Sequence, residues 1–378
     1  MRIVLALDSF KGMMSAPEAC RQAAAGFRNA HPDWEIVELP MADGGEGTAA
    51  ALAESANGTM VEVENVAGPL PGQRVTAQYA WLAHSRTAVV EMAAASGLPL
   101  LRDDQKDPMV TTTYGTGELI RHALDRGAER ILLTLGGSAT VDGGTGCAAA
   151  LGWRFLDANG DALRPCGGNL AKIAAVHPPE GLELPPVEAL CDVTNPLCGP
   201  NGAAAVYGPQ KGANPEMVKA LDCGLRTIAD RVREQLGVDV ADVPGAGAAG
   251  GFGAGAVAFL GATLVRGIEA VSTACDLEAA LADADWVVTG EGRFDGQSMQ
   301  GKVVAGVRDA AQRNGVPTAV LAGCVHHGPE DPKDVGLRFV CATGDLDPEA
   351  GPLPQQAARN LRRAAQELAD DLQEASAR

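Results

Sequence analysis

The sequence predicts an α/β protein made of two α/β domains, a Rossmann-like parallel-sheet domain with a second α/β domain inserted into it. Three observations carry this. The chain has 378 residues, too many for one ordinary hydrophobic core and about right for two or three domains. Short continuous apolar runs recur, each leading through a Gly- or Asp-bearing loop into a helical segment, as in strands buried on both faces of a parallel sheet. A middle stretch breaks this rhythm with alternating apolar residues and Gly-Pro turns, which points to antiparallel strands.

Ile3–Leu7 is the first apolar run. After it, Ser15-Ala16-Pro17-Glu18 combines the S-x-x-E capping pattern with Pro in the first turn, predicting a helix to about Ala30. This βα unit puts Asp8, Ser9 and Lys11 at the carboxyl end of a parallel strand, where open α/β sheets bind ligands. Residues 130–135 run into a Gly-rich loop and then an Ala-rich helix from about 146. Residues 286–289 run into Gly290-Glu291-Gly292-Arg293, followed by a helix over Val303–Arg313 and a strand over Thr318–Leu321. From Leu353 an amphipathic helix is expected, with Leu361, Ala365, Leu368 and Leu372 on one face. The alternating stretch is 60–93, and 152–212 is turn-rich. The expected domains are 1–65 with 265–378, and the insert 66–264.

Net charge is -18, from 48 acidic and 30 basic side chains. That argues against nucleic acid or an anionic membrane as the main partner. It leaves room for an anionic small molecule held by glycines, helix N-termini and a few lysines. The nine cysteines show no C-x-x-C or zinc spacing and read as small core residues of a protein in the reducing cytoplasm. The N-terminus lacks the apolar run of a signal peptide, and no run of about 20 apolar residues predicts a membrane helix. Small-molecule partners are expected, and the oligomeric state stays open.

Gly245-Ala246-Gly247-Ala248-Ala249-Gly250 is a literal G-x-G-x-x-G. Asp242-Val243-Pro244 before it is no strand, so the dinucleotide fingerprint lacks its context. A close-packed loop before a helix Ala254–Leu260, still able to line an active site, fits better. Gly296–Lys302 matches G-x-x-x-x-G-K, but Val303 stands where a P-loop has Ser or Thr. Lys302 remains a phosphate candidate at a helix N-terminus. Residues 43–52 and 142–151 both read D-G-G-x-G-x-A-A-A-L. Each is expected to open a helix whose free N–H groups serve an anion. Asp8, Asp43, Glu46, Asp142, Asp192, Glu291 and Asp295, with Lys11, Lys211 and Lys302, suit metal-assisted phosphoryl transfer. There is no G-x-S-x-G elbow, and the six histidines form no motif.

Asp8-Ser9-Phe10-Lys11-Gly12 and Pro40-Met41-Ala42-Asp43-Gly44-Gly45-Glu46-Gly47-Thr48 resemble the first two signatures of the bacterial glycerate kinase type-1 family. The likeness continues in order through Thr112–Leu119, Gly136–Thr140, Cys191–Leu197, Tyr207–Ala213, Gly245–Gly255 and Gly290–Arg293. Departures are Val141 for a usual Asn, Phe294 for Ile, and Gly296-Gln297-Ser298 for Ser-Gln-Thr. The resemblance implies a two-domain kinase that uses ATP and magnesium to phosphorylate D-glycerate, most often at the 2-hydroxyl. As hypotheses for that reaction, Asp192 is assigned as general base and Lys11 as the neutraliser of the transferring phosphate. Asp8, Ser9, Asp43, Gly44, Gly45, Asn195 and Arg293 are assigned to the substrate. Gly136, Gly137, Ser138, Lys211, Gly247, Gly250 and Lys302 are assigned to ATP, and Glu46 and Glu291 to magnesium. The rivals are a kinase for another small hydroxy acid or with 3-hydroxyl regiochemistry, a nicotinamide-dependent oxidoreductase, and a non-catalytic sugar-acid sensor.

Overall fold

The computed structural model describes residues 1–296, 298–299, 302–326 and 332–377. In chain order the strands are β1 (Arg2–Leu7), β2 (Glu35–Glu38), β3 (Thr59–Ala67), β4 (Arg74–Leu82), β5 (Thr87–Glu91), β6 (Arg130–Thr134) and β7 (Arg154–Leu156). They continue with β8 (Ala175–His177), β9 (Val187–Leu190), β10 (Thr263–Val265), β11 (Trp286–Phe294), β12 (Thr318–Val325) and β13 (Phe339–Ala342).

The chain forms two compact units, one of Met1–Asp43, Ala50–Gly58 and Gly267–Arg378, the other of Gly44–Ala49 and Thr59–Arg266. Sequence placed the changeover at 65/66 and 264/265. The second unit starts earlier because β3 pairs with β4 along its length, and it also takes in residues 44–49.

The first unit has a five-stranded sheet in the order β13-β12-β11-β1-β2, parallel throughout. Ser15 caps the helix Ala16–Ala30 by accepting from the Glu18 N–H at 3.4 Å. That helix and Leu353–Ser376 cover one sheet face, sealing Ile3, Leu5, Leu7, Phe27, Leu361 and Leu368 from water. They approach so closely that a Cβ on Gly26 would lie 2.3 Å from the Arg362 carbonyl oxygen. Helix Val303–Asn314 covers the opposite face, where Phe294, Val304 and Val320 pack. From β1 the chain goes one way to β2 and later returns on the other side to β11. The strand order therefore reverses between β1 and β11, the place where such sheets open a ligand crevice.

The second unit has a six-stranded sheet in the order β10-β9-β6-β5-β4-β3. β3, β4 and β5 are antiparallel, while β5, β6, β9 and β10 are parallel. Tyr79, Val90, Leu119, Leu133 and Phe252 form its core. The helix expected from about 146 is only Thr145–Ala150. The Gly-rich helix Ala248–Leu260 contains left-handed residues at Ala249–Gly251, so its regular part begins at Phe252, two residues before the expected 254.

Candidate active site

A cavity of about 500 Å³ opens in the first unit, at the carboxyl ends of its strands. β1 ends at Leu7, and the Asp8 N–H bonds the Gly290 carbonyl of β11 at 2.9 Å. The two strand ends carry Asp8, Ser9 and Lys11 on one side and Glu291 and Arg293 on the other, all lining the cavity. Gly292 permits this approach, since its missing Cβ would lie 3.3 Å from the Lys11 nitrogen and the Phe10 Cα.

The electrostatics are unusual for an acidic protein. Asp8 is buried, and one of its oxygens accepts from the Ser9 N–H at 2.6 Å. Burial first and the Asp43 carboxylate next push its carboxyl up to about 7, against the pull of Lys11. Lys11 Nζ stands 4.0 Å from Asp43. Burial raises the Glu291 carboxyl, while a hydrogen bond from the Ser298 side chain, and then Lys302 and Lys11, draw it down. Glu291 Oε1 is buried with no hydrogen-bond partner among the described residues. A buried, unbonded carboxylate oxygen is costly, so a cation or a donor from a ligand fits there. Arg293 is exposed and pairs with the half-buried Asp295 at 3.3 Å. Within the G-x-x-x-x-G-K segment, Gln297, Gln300 and Gly301 lie outside the described residues. Ser298 Oγ accepts from the Asp295 N–H at 2.9 Å, and Lys302 begins the helix Val303–Asn314 with no side-chain cap.

The residues assigned in the second unit are differently placed. Asp192 is exposed in the loop after β9. Asn195 uses both ends of its amide internally, accepting from Tyr207 at 2.7 Å and donating to the Asn201 carbonyl at 2.8 Å. Gly247 and Gly250 are buried; the Gly247 N–H bonds Asn195, and a Cβ on Gly250 would meet the Thr140 oxygen at 2.0 Å. The Gly247 N–H is thus taken, and Gly250 is packed inside against Thr140 and Val141. Lys211 is also buried, donating to Ser138 Oγ at 2.6 Å and the Thr140 carbonyl at 2.7 Å. Burial pushes its ammonium down to about 7. It anchors the loop after β6, in which Gly136 and Gly137 stay exposed and Ser138 is buried.

At the helix starts of the twin D-G-G-x-G loops, N–H groups that the sequence suggested for an anion are bonded within the protein. In the second loop, Asp142 is fully buried and accepts from Thr113 N, Thr113 Oγ1, Gly144 N and Gly146 N. In the first, Glu91 accepts from Ala49 N at 2.8 Å and also interacts with the Gly47 and Thr48 backbone. Protein carboxylates already occupy both helix starts. Gly44 is buried at positive φ, Gly45 is half-buried, and Glu46 is exposed on this loop. Glu91 escaped the sequence reading. Its one signal is an acid closing the buried run Thr87–Val90.

A sequence profile of the Glycerate kinase family matches residues 3–373. The chain belongs to the glycerate kinase family. It is 44% identical to a Bacillus subtilis (strain 168) glycerate kinase over 376 residues, covering 98% of this chain and 97% of that one. It is 47% identical to the Escherichia coli (strain K12) glycerate 2-kinase over 328 residues, 85% of each chain. The crystal structure of a candidate glycerate kinase 2 from Salmonella typhimurium LT2 superposes with a TM-score of 0.91 at 46% identity, over the whole of both chains.

For this glycerate kinase family member, the two departures at Val141 and Phe294 are core positions, both fully buried. A magnesium ion suits the donors present. Magnesium takes one or two carboxylates and completes its shell with water and phosphate oxygens. Glu291, with its unpartnered oxygen, and Asp43 are oxygen donors lining one cavity. No group of three or more His, Cys, Asp or Glu side chains able to hold a metal by themselves occurs among the described residues.

Proposed function

We propose that this chain transfers the γ-phosphoryl group of ATP to the 2-hydroxyl of D-glycerate, giving 2-phosphoglycerate and ADP. The observation that carries the reading is the cavity at the β1/β11 strand reversal, where Lys11, Arg293 and Lys302 meet Asp8, Asp43 and Glu291. Phosphoryl transfer asks a protein mainly for alignment and charge stabilisation, which such a mixed set supplies. The 2-hydroxyl follows the name of the E. coli relative.

In the reaction the hydroxyl oxygen attacks the γ-phosphorus, the bond to the ADP oxygen breaks, and the hydroxyl proton passes to a base. Magnesium, held by Glu291 and Asp43, would neutralise phosphate charge. Lys11 faces the developing charge from the protein side, and Arg293 with Ser9 binds the glycerate carboxylate. Two carboxylates are candidates for the base. Asp192 stands in an exposed loop. Asp8 is buried with its carboxyl up at about 7, close to the operating pH, where a general base works best. The Asn variants separate them, since loss of the true base lowers kcat while the other change leaves it near wild type.

Supporting the kinase over an oxidoreductase, the Gly245–Gly250 segment follows no strand and is packed shut. The deciding experiment is incubation with ATP, magnesium and D-glycerate, with phosphorus NMR of the product. A 2-phosphoglycerate signal is expected. A 3-phosphoglycerate signal corrects the regiochemistry, and no glycerate-dependent ADP release removes the assignment.

A further inference from the structure

The cavity of the first unit is larger and more apolar than a three-carbon acid needs. About 500 Å³ lies within the range of roughly 300–1,000 Å³ that encloses drug-sized ligands. Glycerate carries a polar group on every carbon and gains nothing from apolar walls. Yet Phe10, Met13, Leu346 and Ala357 all line the cavity.

These side chains come from one side of the sheet. Phe10 belongs to the core under the helices Ala16–Ala30 and Leu353–Ser376, and Met13 packs against that core. Ala357 lies on the second of these helices. Leu346 is carried by the loop after β13, which is tied to the same helix. Gln356 bonds Asp347 and Gly351, Asn360 Nδ2 bonds the Asp345 carbonyl at 3.1 Å, and Arg363 bonds the Thr343 carbonyl at 3.4 Å. Positions 356, 360 and 363 share one helix face, so the loop is a fixed wall. Lys302 enters from the opposite side of the sheet, at the start of the helix Val303–Asn314.

Resting on the kinase reading, the reaction has two reactants to place. One is small and wholly polar. The other joins an apolar-faced purine to a polyanion. Only the second matches a wall of four apolar side chains beside three cations, Lys11, Arg293 and Lys302. The Gly-rich loops at 44–49, 142–146 and 245–250 are poor rivals, because the N–H groups of Gly144, Gly146, Gly247 and Ala49 are bonded to protein oxygens; Gly136 and Gly137 are exposed but bring no apolar wall comparable to this one.

We infer that the first unit binds the nucleotide, with the purine against Met13 and Leu346 and the phosphates at Lys11 and Lys302. The second unit's glycines then shape its core and loops and do not hold ATP.

The test is calorimetric titration of the full-length protein with ADP and magnesium, in the wild type and in Met13→Glu, Leu346→Glu and Lys302→Ala. Met13 and Leu346 are only partly buried, so the folds should survive, and thermal melts check this. Each Glu variant is expected to weaken ADP binding roughly tenfold or more, by setting a carboxylate where the purine would dehydrate it. Lys302→Ala should weaken it about several-fold through loss of a phosphate contact. The KM for D-glycerate should stay within about twofold, the mark of a contact made to the other substrate. ADP affinity unchanged in both Glu variants, or a rise in the glycerate KM alone, would overturn the inference, as would a wild type that does not bind ADP. A wild type that binds ADP through these residues but never phosphorylates glycerate would leave the pocket standing and remove only the glycerate assignment.

Discussion

The first unit and the second unit use the same residues in loops at strand ends, Gly, Asp and Lys, to opposite ends. At the β1/β11 ends of the first unit, Lys11 is exposed and Glu291 keeps a buried oxygen without a partner among the described residues. At the β6 end of the second, Lys211 and Asp142 are buried and their polar atoms are matched by neighbouring backbone and hydroxyl groups. Unmatched polarity beside a cavity marks a place for a ligand, whereas matched polarity inside a core marks a strut. The comparison teaches that satisfaction of the polar atoms, more than residue type, separates site from scaffold.

That contrast can be broken in several places. The largest effect is expected at Asp8. If Asp8 rather than Asp192 is the base, Asp8→Asn should lower kcat by about 10²–10⁴-fold with the fold kept, read in a coupled ADP-release assay. Its titration gives a second readout. The carboxyl rises from 3.8 to about 7 on folding, so the folded protein binds more protons than the unfolded chain between those values. The contribution of Asp8 to stability is therefore full below about pH 4 and is lost as pH rises through about 7. Denaturant melts of Asp8→Asn should lack that decline; a parallel pH profile in both proteins would show that Asp8 is not the titrating group.

Next comes the scaffold. Asp142→Ala strands donors on Thr113, Gly144 and Gly146 and should lose roughly 3–5 kcal/mol, as when one partner of a buried charged network is removed. Urea denaturation measures it, and a loss near zero would mean that the buried network is not a strut. A smaller loss is expected at Gly144→Ala. Its φ is +73°, and a Cβ would fall 2.5 Å from the Phe252 ring, which predicts about 1–3 kcal/mol from strain and overpacking. If instead the melt is unchanged and a substrate KM rises, the second D-G-G-x-G loop is an anion site after all.

The smallest stability effect belongs to Lys11. Its side chain is 75% exposed and 4.0 Å from Asp43, so Lys11→Ala should change folding stability by roughly 0.5 kcal/mol or less while kcat/KM falls. A marked drop in melting temperature would move Lys11 from the site to the scaffold.

Much of this was legible in the chain. Short apolar runs with Asp or Gly at their ends gave β1 and β6 closely and the starts of β11 and β12, since a strand buried on both faces needs uninterrupted apolar side chains; β11 runs on through Gly290–Phe294, expected as a loop, because its pairing with β12 continues to Val325. Ser15 marked the first helix, and the Leu361–Leu372 spacing gave the last. Ordered motifs over nearly the whole length point to the glycerate kinase family, and Asp8, Lys11, Glu291 and Arg293 stand out as site candidates in the sequence alone.

Burial and hydrogen-bond matching were decided only in three dimensions. Lys211 and Lys302 look alike in sequence, each near glycines and each a plausible phosphate ligand. One is sealed inside by Ser138 and Thr140 and the other lines an open cavity. The two D-G-G-x-G loops likewise promised free N–H groups, which Asp142 and a distant Glu91 had already taken. No local pattern encodes Glu91, because its partners lie 42 residues away in the chain. Sequence specifies which groups are available for chemistry; long-range packing determines which of them remain unmatched, and only those can bind a ligand.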